Sequence, residues 1–159
     1  MTEQMLSPED QMMQWITSKW ITKPIHVISE LGIADLLRDG PLSVDSLAEK
    51  TDTHAPTLYR LLRALSSVGI FVETDDRVFD LTPLAQCLLS DAMRPMAQMF
   101  LSDWHDKAWG SLNYTVRTGK PGFDHTFGKS AFEWMEENPE ERAILDKGQG
   151  LKAKGFAES

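Results

Sequence analysis

The chain has 159 residues, of which 42% are apolar and 25% are charged, and its formal net charge is −8. This length suits one folded domain with a sizeable core, and the composition is far from that of disordered chains. The negative charge disfavours nucleic acid and anionic membranes as partners. Cys87 is the only cysteine, which excludes an internal disulfide or a multi-thiolate metal site. Since the N-terminus also lacks a basic, apolar leader, we expect a cytoplasmic protein.

The first predicted helix begins at Ser7-Pro8-Glu9-Asp10, with Ser7 as the N-cap and Pro8 at the first helical position, and runs to about Ile21. Its bulky apolar residues occupy more than one face, which exceeds what packing against a single core requires. We therefore predict that part of this helix meets another chain. The predicted interface residues are Met12, Met13, Trp15, Ile16 and Trp20. The alternative is a helix that is buried on both sides within one monomer.

A second helix is predicted to start at Pro24 and to end before Gly40-Pro41. Its apolar residues leave almost no polar stripe. They are Ile25, Val27, Ile28, Leu31, Ile33, Ala34, Leu36 and Leu37. A helix of this kind is expected to be a central, buried element.

The next segment has the pattern of a winged helix. A short helix over residues 43–50 and a longer one from Pro56 to Ser67 form a helix-turn-helix. The buried face of the longer helix is predicted to hold Leu58, Leu61, Leu62, Leu65 and Val68. Two apolar runs at 70–72 and 78–81 flank an acidic turn, which predicts a β-hairpin wing.

The remainder is predicted to be helical, over residues 84–89, from Pro95 to about Thr118, from Ser130 to Glu137 and from Pro139 onward, with a loop at 119–122. The predicted fold class is therefore mainly α with a small β-hairpin wing. It consists of a winged helix-turn-helix core with additional dimerisation helices, and this chain contains no Rossmann domain.

A winged helix often binds DNA through its second helix, which here offers Arg60 and Arg63. The wing, however, carries Glu73, Asp75, Asp76 and Asp80 against the single Arg77. Such a wing would repel phosphates, so we interpret Arg60 and Arg63 as structural, solvated residues. A winged-helix transcription regulator is kept as an alternative, which a gel shift at low salt would test.

No catalytic or metal-binding pattern is evident. The four histidines, His26, His54, His105 and His125, lack the spacing that places two metal ligands on one helix face. His105 lies in an Asp-Trp-His-Asp run without an adjacent nucleophile, so a hydrogen-bonded or exposed histidine is the better interpretation. Gly148-Gln149-Gly150 with Gly155 has the wrong spacing for a dinucleotide loop and does not follow an apolar strand. We therefore expect this chain to bind neither a metal nor a cofactor.

Two blocks of sequence resemble a known family. Residues 57–65 (TLYRLLRAL) followed by 69–71 (GIF), and the segment from Trp109 to Gln149 with its Arg-Thr-Gly-Lys-Pro turn, resemble the N-terminal domain of the small-molecule O-methyltransferases. This S-adenosylmethionine-dependent family includes plant caffeate and flavonoid enzymes and bacterial polyketide and carotenoid enzymes. The resemblance implies a dimerising winged-helix domain at residues 1–92 and a helical acceptor-pocket and linker region at 93–159.

The resemblance also implies residue roles. Phe100 and Leu101 match pocket-lining positions, and Trp109 matches a tryptophan at the domain junction. Leu145 and Gln149 match a Phe and a Met that clamp the acceptor ring, and the polar Gln149 hints at a more polar acceptor. The implied substrate-binding residues are Phe100, Leu101, Trp104, Trp109, Leu145 and Gln149. The alternative is that Phe100, Trp104 and Trp109 simply belong to the core.

The leading hypothesis is therefore the dimerisation and acceptor-binding portion of an O-methyltransferase that methylates a hydroxyl of a small aromatic or polyketide-like compound. The expected partners are a second copy of the chain and this acceptor, with no nucleic acid and no membrane. In such a family the methyl donor and the catalytic histidine belong to a C-terminal domain, so this chain should be catalytically incomplete. It could be cut from a longer protein or encoded alone. A stand-alone small-molecule-binding protein is a further alternative.

Overall fold

The computed structural model describes the backbone of residues 6–157 and the side chains of residues 6–150. The helices are α1 (Pro8–Ile16), α2 (Lys19–Leu31), α3 (Ile33–Leu36), α4 (Val44–Thr51), α5 (Ala55–Ser66), α6 (Pro83–Gln86), α7 (Arg94–Phe100), α8 (Asp103–Gly110), α9 (Leu112–Thr118), α10 (Gly122–Phe127), α11 (Ala131–Glu137) and α12 (Pro139–Ala157). The strands are β1 (Leu42–Ser43), β2 (Phe71–Asp75) and β3 (Val78–Leu81). This confirms the predicted fold class, mainly α with a small β-hairpin wing.

The winged-helix core forms as the sequence predicts. Ser43 caps α4 by accepting a hydrogen bond from the backbone N–H of Ser46 at 3.2 Å. Along α5, Leu58, Leu62 and Leu65 are buried. The prediction for Val68 is wrong: this residue lies beyond the end of α5 and is exposed.

The wing is part of a three-stranded antiparallel sheet in the order β1-β3-β2. The hairpin was predicted, but β1 was not, because two residues are too short to show an alternating pattern. Leu42 of β1 pairs with Phe79 of β3, whose ring is fully buried. On the other side of β3, Phe71 pairs with Leu81. The sheet therefore closes one side of the core formed by α2 to α5.

The predicted first helix is broken, and the prediction that the second begins at Pro24 is wrong. Ser7 caps α1 as expected, but α1 ends at Ile16, and α2 begins at Lys19 with Pro24 in its interior. Proline removes one helical hydrogen bond, yet Ile21, Ile25 and Ile28 recur along one side of α2 and pack on the core. Tertiary packing thus outweighs the local preference of proline.

A left-handed glycine separates α2 from α3, which the sequence predicts to be one helix. Gly32 adopts φ = 67° and donates its N–H to the carbonyl of Ile28. Ile28, Ile33 and Leu37 on either side of this turn are all fully buried. The expectation of a central, buried element is therefore confirmed, although it is two helices.

Arg94, at the start of α7, binds both α2 and α3. Its Nε donates to the carbonyl of Ser29 at 2.6 Å, and its Nη1 donates to Asp35 Oδ2 at 2.9 Å. Burial by itself would raise the pKa of Asp35, but hydrogen bonds from Ser90, Arg38 and Arg94 lower it below its ordinary value. The carboxylate therefore stays charged, and the wall formed by α7 is held against the core.

The predicted single helix from Pro95 to Thr118 is also wrong. The chain instead forms α7, α8 and α9, and α10 follows where a loop was expected to continue. Helices α11 and α12 begin after Ser130 and at Pro139, as predicted, and Ser130 also forms a capping box with Glu133. These short helices surround a set of cavities.

Candidate functional site

The chain turns sharply between α7 and α8. Ser102 Oγ donates to the carbonyl of Met99 at 2.8 Å and accepts from the backbone N–H of His105 at 3.4 Å. This buried serine therefore sits where one helix ends and also caps the next. The turn lies directly after Phe100 and Leu101, two of the residues that the sequence predicts to bind an acceptor.

A cavity of about 260 Å³, here called the clamp cavity, lies between α7, α8 and α12. It is lined by Met99, Phe100, Trp104, His105, Leu145 and Gln149. Four of the residues that the sequence predicts to bind an acceptor thus meet in one place: Phe100, Trp104, Leu145 and Gln149. Met99 and His105 were missed, because their place in this wall depends on how α12 crosses α7.

Trp109 lines a second cavity, also of about 260 Å³ and here called the Trp109 cavity. It is lined by Trp104, His105, Ala108, Trp109, Leu112, Thr115, Gly122 and Phe123. A Cβ at Gly122 would lie 2.9 Å from Thr115 Oγ1, so only glycine lets α10 pack this closely. Trp104 and His105 line both cavities and therefore lie between them.

Leu101, the remaining predicted site residue, lines neither the clamp cavity nor the Trp109 cavity. It lines an apolar groove of about 440 Å³. The groove is formed by Ile25, Ile70, Leu84, Cys87, Leu88, Met93, Met96, Ala97, Phe100 and Leu101. Phe100 borders both this groove and the clamp cavity, so it forms the wall between them.

An aromatic cluster holds Trp104 in place. Its ring centroid lies 5.5 Å from that of Trp134 and 6.2 Å from that of Phe123, and Phe127 lies 4.6 Å from Phe123. The indole Nε1–H donates to Glu141 Oε2 at 2.8 Å. Trp104 is therefore fixed by packing on one side and by a charge-assisted hydrogen bond at its edge.

Two of the three aromatic residues assigned to the site, Phe100 and Trp109, are exposed. Trp109 is 60% exposed and Phe100 is 38% exposed, whereas Trp104 is half-buried. The alternative that all three are simply core is therefore wrong. Large aromatic surfaces left open around a concave region are typical of a ligand site.

His105 lies at the centre of this aromatic region. Its ring contacts those of Phe100, Trp104 and Trp109 at centroid distances of 5.7, 5.4 and 6.2 Å. Burial lowers the pKa of His105, although Asp106 and a hydrogen bond with the backbone of Phe100 act in the opposite direction. The imidazole is therefore neutral at neutral pH. It is hydrogen-bonded as the sequence suggested, but its position in both cavities was not foreseen.

Lys23 lies on α2 and stabilises the start of α8. Its Nζ lies 2.9 Å from Asp106 and 3.3 Å from Asp103, and it donates to the carbonyl of Leu101 at 3.0 Å. Burial opposes the charge, but the hydrogen bonds to Asp106 and Asp103 dominate and raise the pKa of Lys23. This ammonium is thus satisfied within the chain and positions the turn that precedes Trp104.

Residues 6–150 contain no group of three His, Cys, Asp or Glu side chains that could hold a metal ion. The Gly148-Gln149-Gly150 segment lies within α12, so it is not a phosphate-binding turn after a strand. In the same part of the chain, no helix is long and apolar enough to cross a membrane.

The arginines of the winged helix are occupied by contacts within the chain. Arg60 donates to Thr57 Oγ1 at 3.3 Å, and Arg63 Nε lies 3.8 Å from Glu73 Oε2. On the wing, Arg77 donates to Asp45 Oδ1 at 2.8 Å. These contacts support the structural interpretation of Arg60 and Arg63.

The predicted interface residues form an exposed apolar surface. No residue of α1 is buried, and Trp15 and Trp20 are 75% and 74% exposed. The interface set is Met12, Met13, Trp15 and Ile16 on α1 with Trp20 on α2. The alternative of a helix buried on both sides within the monomer is therefore wrong.

Comparison with known proteins finds a family model and relatives that match this chain. The O-methyltransferase dimerisation domain matches residues 13–91. A phenazine O-methyltransferase of Lysobacter antibioticus is 38% identical over 149 residues, which cover 92% of this chain and 43% of that protein. This chain therefore spans less than half the length of that relative.

Solved structures match this chain as well. The crystal structure of LaPhzM matches with a TM-score of 0.91 and 36% identity, and the match covers 96% of this chain and 47% of that one. An O-methyltransferase from neocarzinostatin biosynthesis, solved with S-adenosylmethionine and 2-hydroxy-5-methyl naphthoic acid, matches with a TM-score of 0.70 and 25% identity. That match covers 85% of this chain and 43% of the other.

Proposed function

Because the chain belongs, through residues 13–91, to the O-methyltransferase dimerisation-domain family, we propose that it is the dimerising and acceptor-binding portion of an S-adenosylmethionine-dependent methyltransferase. The acceptor is a small aromatic or polyketide-like hydroxyl compound. Residues 1–92 form the dimerisation part, and residues 93–159 form one wall of the acceptor site and lead toward the methyl-donor domain.

One observation carries the acceptor-binding role. Phe100 from α7, Trp104 from α8, and Leu145 and Gln149 from α12 converge on the clamp cavity. Aromatic faces fit a planar ring, and Gln149 offers a polar edge to a substituent. The relatives are consistent with such an acceptor, since one is named for phenazine and another was solved with a naphthoic acid.

The residues described do not fit the methyl donor. Donor recognition in Rossmann-like domains uses a glycine-rich turn after a parallel strand, and the strands of residues 6–157 form only the antiparallel wing sheet. The donor supplies the methyl group when it is bound in the rest of the whole protein. This chain orients the acceptor hydroxyl and excludes water from one side of it, which favours reaction by proximity.

The dimer follows from two apolar surfaces that this chain leaves open. The α1 face with Trp15 and Trp20 has no partner in the described chain, and the groove beside Leu101 is lined by apolar side chains. Aromatic and Met side chains are enriched in interface cores. We assign both surfaces to a second copy of the chain, and the match to a dimerisation domain supports this assignment.

Calorimetric titration of the chain with 1-naphthol tests acceptor binding. Wild type should bind, and Leu145→Glu should weaken binding at least about tenfold, because a carboxylate would be forced into an apolar cavity. Ala143→Glu is the matched control, since Ala143 is exposed on the same helix and lines neither cavity. No binding by wild type, or equal losses in both variants, would contradict the acceptor-binding role.

Light scattering tests the dimer. The double variant Ile16→Glu with Trp20→Glu should give a monomer, because two carboxylates would be buried in the interface. Phe132→Glu is the control, since Phe132 is an exposed apolar residue on α11, away from α1. A monomer mass for wild type, or a dimer that survives the double substitution, would overturn this assignment.

A further inference from the structure

The two cavities that meet at Trp104 and His105 contain a single ionisable side chain. The residues around them are aromatic, aliphatic or uncharged, and His105 is the exception. Its position was not foreseen, since Asp103-Trp104-His105-Asp106 shows no catalytic pattern in sequence. A lone imidazole between aromatic walls fixes the orientation of a ligand by hydrogen bonding.

The contacts of the imidazole define its tautomer. Trp109 Nε1 donates to His105 Nε2 at 3.4 Å, and an indole nitrogen can only donate. Nε2 is therefore an acceptor, and the proton of the neutral ring is on Nδ1. The lone pair of Nε2 is directed at the indole N–H of Trp109, and both side chains line the Trp109 cavity.

The present donor to Nε2 is easily replaced. A separation of 3.4 Å is long for an N–H to N hydrogen bond, and Trp109 is 60% exposed, so its indole can hydrogen-bond to water instead. A ligand hydroxyl that approaches Nε2 more closely would form the stronger contact. The residues that line the two cavities include no Lys or Arg, so no fixed positive charge there favours an anionic ligand.

We propose that His105 determines acceptor specificity by accepting a hydrogen bond at Nε2 from a hydroxyl or N–H of a planar, uncharged aromatic ligand that replaces the indole of Trp109. This assignment rests on the proposed acceptor-binding function and adds the class of substituent that the site selects. His105 is a specificity-determining residue here and takes no proton from the reacting hydroxyl.

The test compares 1-naphthol with 1-methoxynaphthalene, in which a methyl group replaces the donor hydrogen of the hydroxyl, by isothermal titration calorimetry. Wild type should prefer 1-naphthol about fivefold, the value of one neutral hydrogen bond. His105→Phe should bind both ligands equally, whereas His105→Gln, which keeps an acceptor oxygen, should retain the preference. A preference that persists in His105→Phe would overturn the proposal.

Two further variants complete the test. His125→Phe is the matched control, because the ring of His125 stacks on Tyr114 at 3.8 Å and lines neither cavity, and it should keep the wild-type preference. Trp109→Phe removes the competing donor without changing His105, so its preference for 1-naphthol should be at least that of wild type. Loss of the preference in Trp109→Phe would overturn the proposal even if His105→Phe failed to fold.

The outcomes separate this proposal from the one on which it rests. Tight binding of both naphthalenes with equal affinity by wild type would leave acceptor binding intact and refute the role of His105. Binding of neither ligand would refute acceptor binding and, with it, the role of His105.

Discussion

Trp104 and Glu141 are joined by a hydrogen bond of 2.8 Å between the indole Nε1–H and the carboxylate. This bond links α8 to the first turn of α12, so it fixes the distance between the two walls of the clamp cavity. The same carboxylate lies in the first turn of α12, near the positive end of the helix dipole.

Replacing Glu141 by Leu should lower the free energy of unfolding by about 1–2 kcal/mol, because the indole N–H loses its partner. Glu140→Leu is the control: Glu140 is exposed in the same helical turn and experiences the same dipole, so its loss should cost less than about 0.5 kcal/mol. Urea unfolding measures both values. Equal effects of the two substitutions would show that the hydrogen bond to Trp104 contributes nothing.

Gly32→Ala should destabilise the chain by about 1–3 kcal/mol. Gly32 has a positive φ, and an added Cβ would lie 3.2 Å from the guanidinium of Arg94, which binds Ser29 and Asp35. Gly110→Ala, in α8 with open space around it, should be neutral or stabilising by up to about 1 kcal/mol. A thermal melt in which the two variants behave alike would contradict this assignment for Gly32.

The preference for 1-naphthol should disappear in acid. Below the pKa of His105 a proton occupies Nε2, which can then no longer accept a hydrogen bond from the ligand. Since burial lowers the pKa of His105 from its ordinary value of 6.5, the midpoint of the loss should lie below pH 6.5. A phenol keeps its proton throughout this range. Asp106 is the charged neighbour that acts on the imidazole, so Asp106→Asn should move the midpoint to still lower pH.

This pH dependence is measured by titrating the protein with each naphthalene at a series of pH values from about 5 to about 8. This range spans the ordinary histidine pKa of about 6.5. A midpoint above that value would show that the imidazole is stabilised in its charged form. An unchanged preference across the whole range would show that Nε2 does not contact the ligand.

The chain alone should not bind S-adenosylmethionine or transfer a methyl group. Its strands form an antiparallel wing, and its Gly148-Gln149-Gly150 segment is helical. Calorimetry with S-adenosylmethionine should therefore show no binding heat. Micromolar affinity would mean that a donor site lies within this chain.

DNA binding should also be absent at moderate salt. The arginines of the winged helix are held by contacts within the chain, such as that between Arg63 and Glu73, and the net charge is −8. A gel shift with duplex DNA at low salt is the measurement. A specific, salt-sensitive complex would favour the alternative of a transcription regulator.

The sequence by itself predicted the elements whose signals are local. Ser7 and Ser43 mark helix starts because a capping hydrogen bond depends only on residues within one turn. The spacing of Leu58, Leu62 and Leu65 predicted the buried face of α5 for the same reason. The exposed apolar surface of Trp15 and Ile16 was likewise predicted from residue type and spacing.

Local signals failed where distant residues decide the backbone. Pro24 was predicted to begin a helix, but core packing of Ile21 and Ile25 continues α2 through it. The chain was predicted to be one helix from Pro95 to Thr118, but it turns after Phe100, where Lys23 of α2 donates to the carbonyl of Leu101. Neither outcome can be read from propensities, which tertiary contacts override.

The candidate site also combines features that the sequence predicted with features that only the tertiary structure determined. The sequence, through its resemblance to a family, predicted Phe100, Trp104, Leu145 and Gln149, and the fold brings these four to one cavity while it directs Leu101 to another. Only the tertiary structure placed His105 between two cavities, because its surroundings come from α7, α8 and α12 together. A residue type can be read from the sequence, but the burial and hydrogen bonds that determine its chemistry arise only when separate helices pack around it.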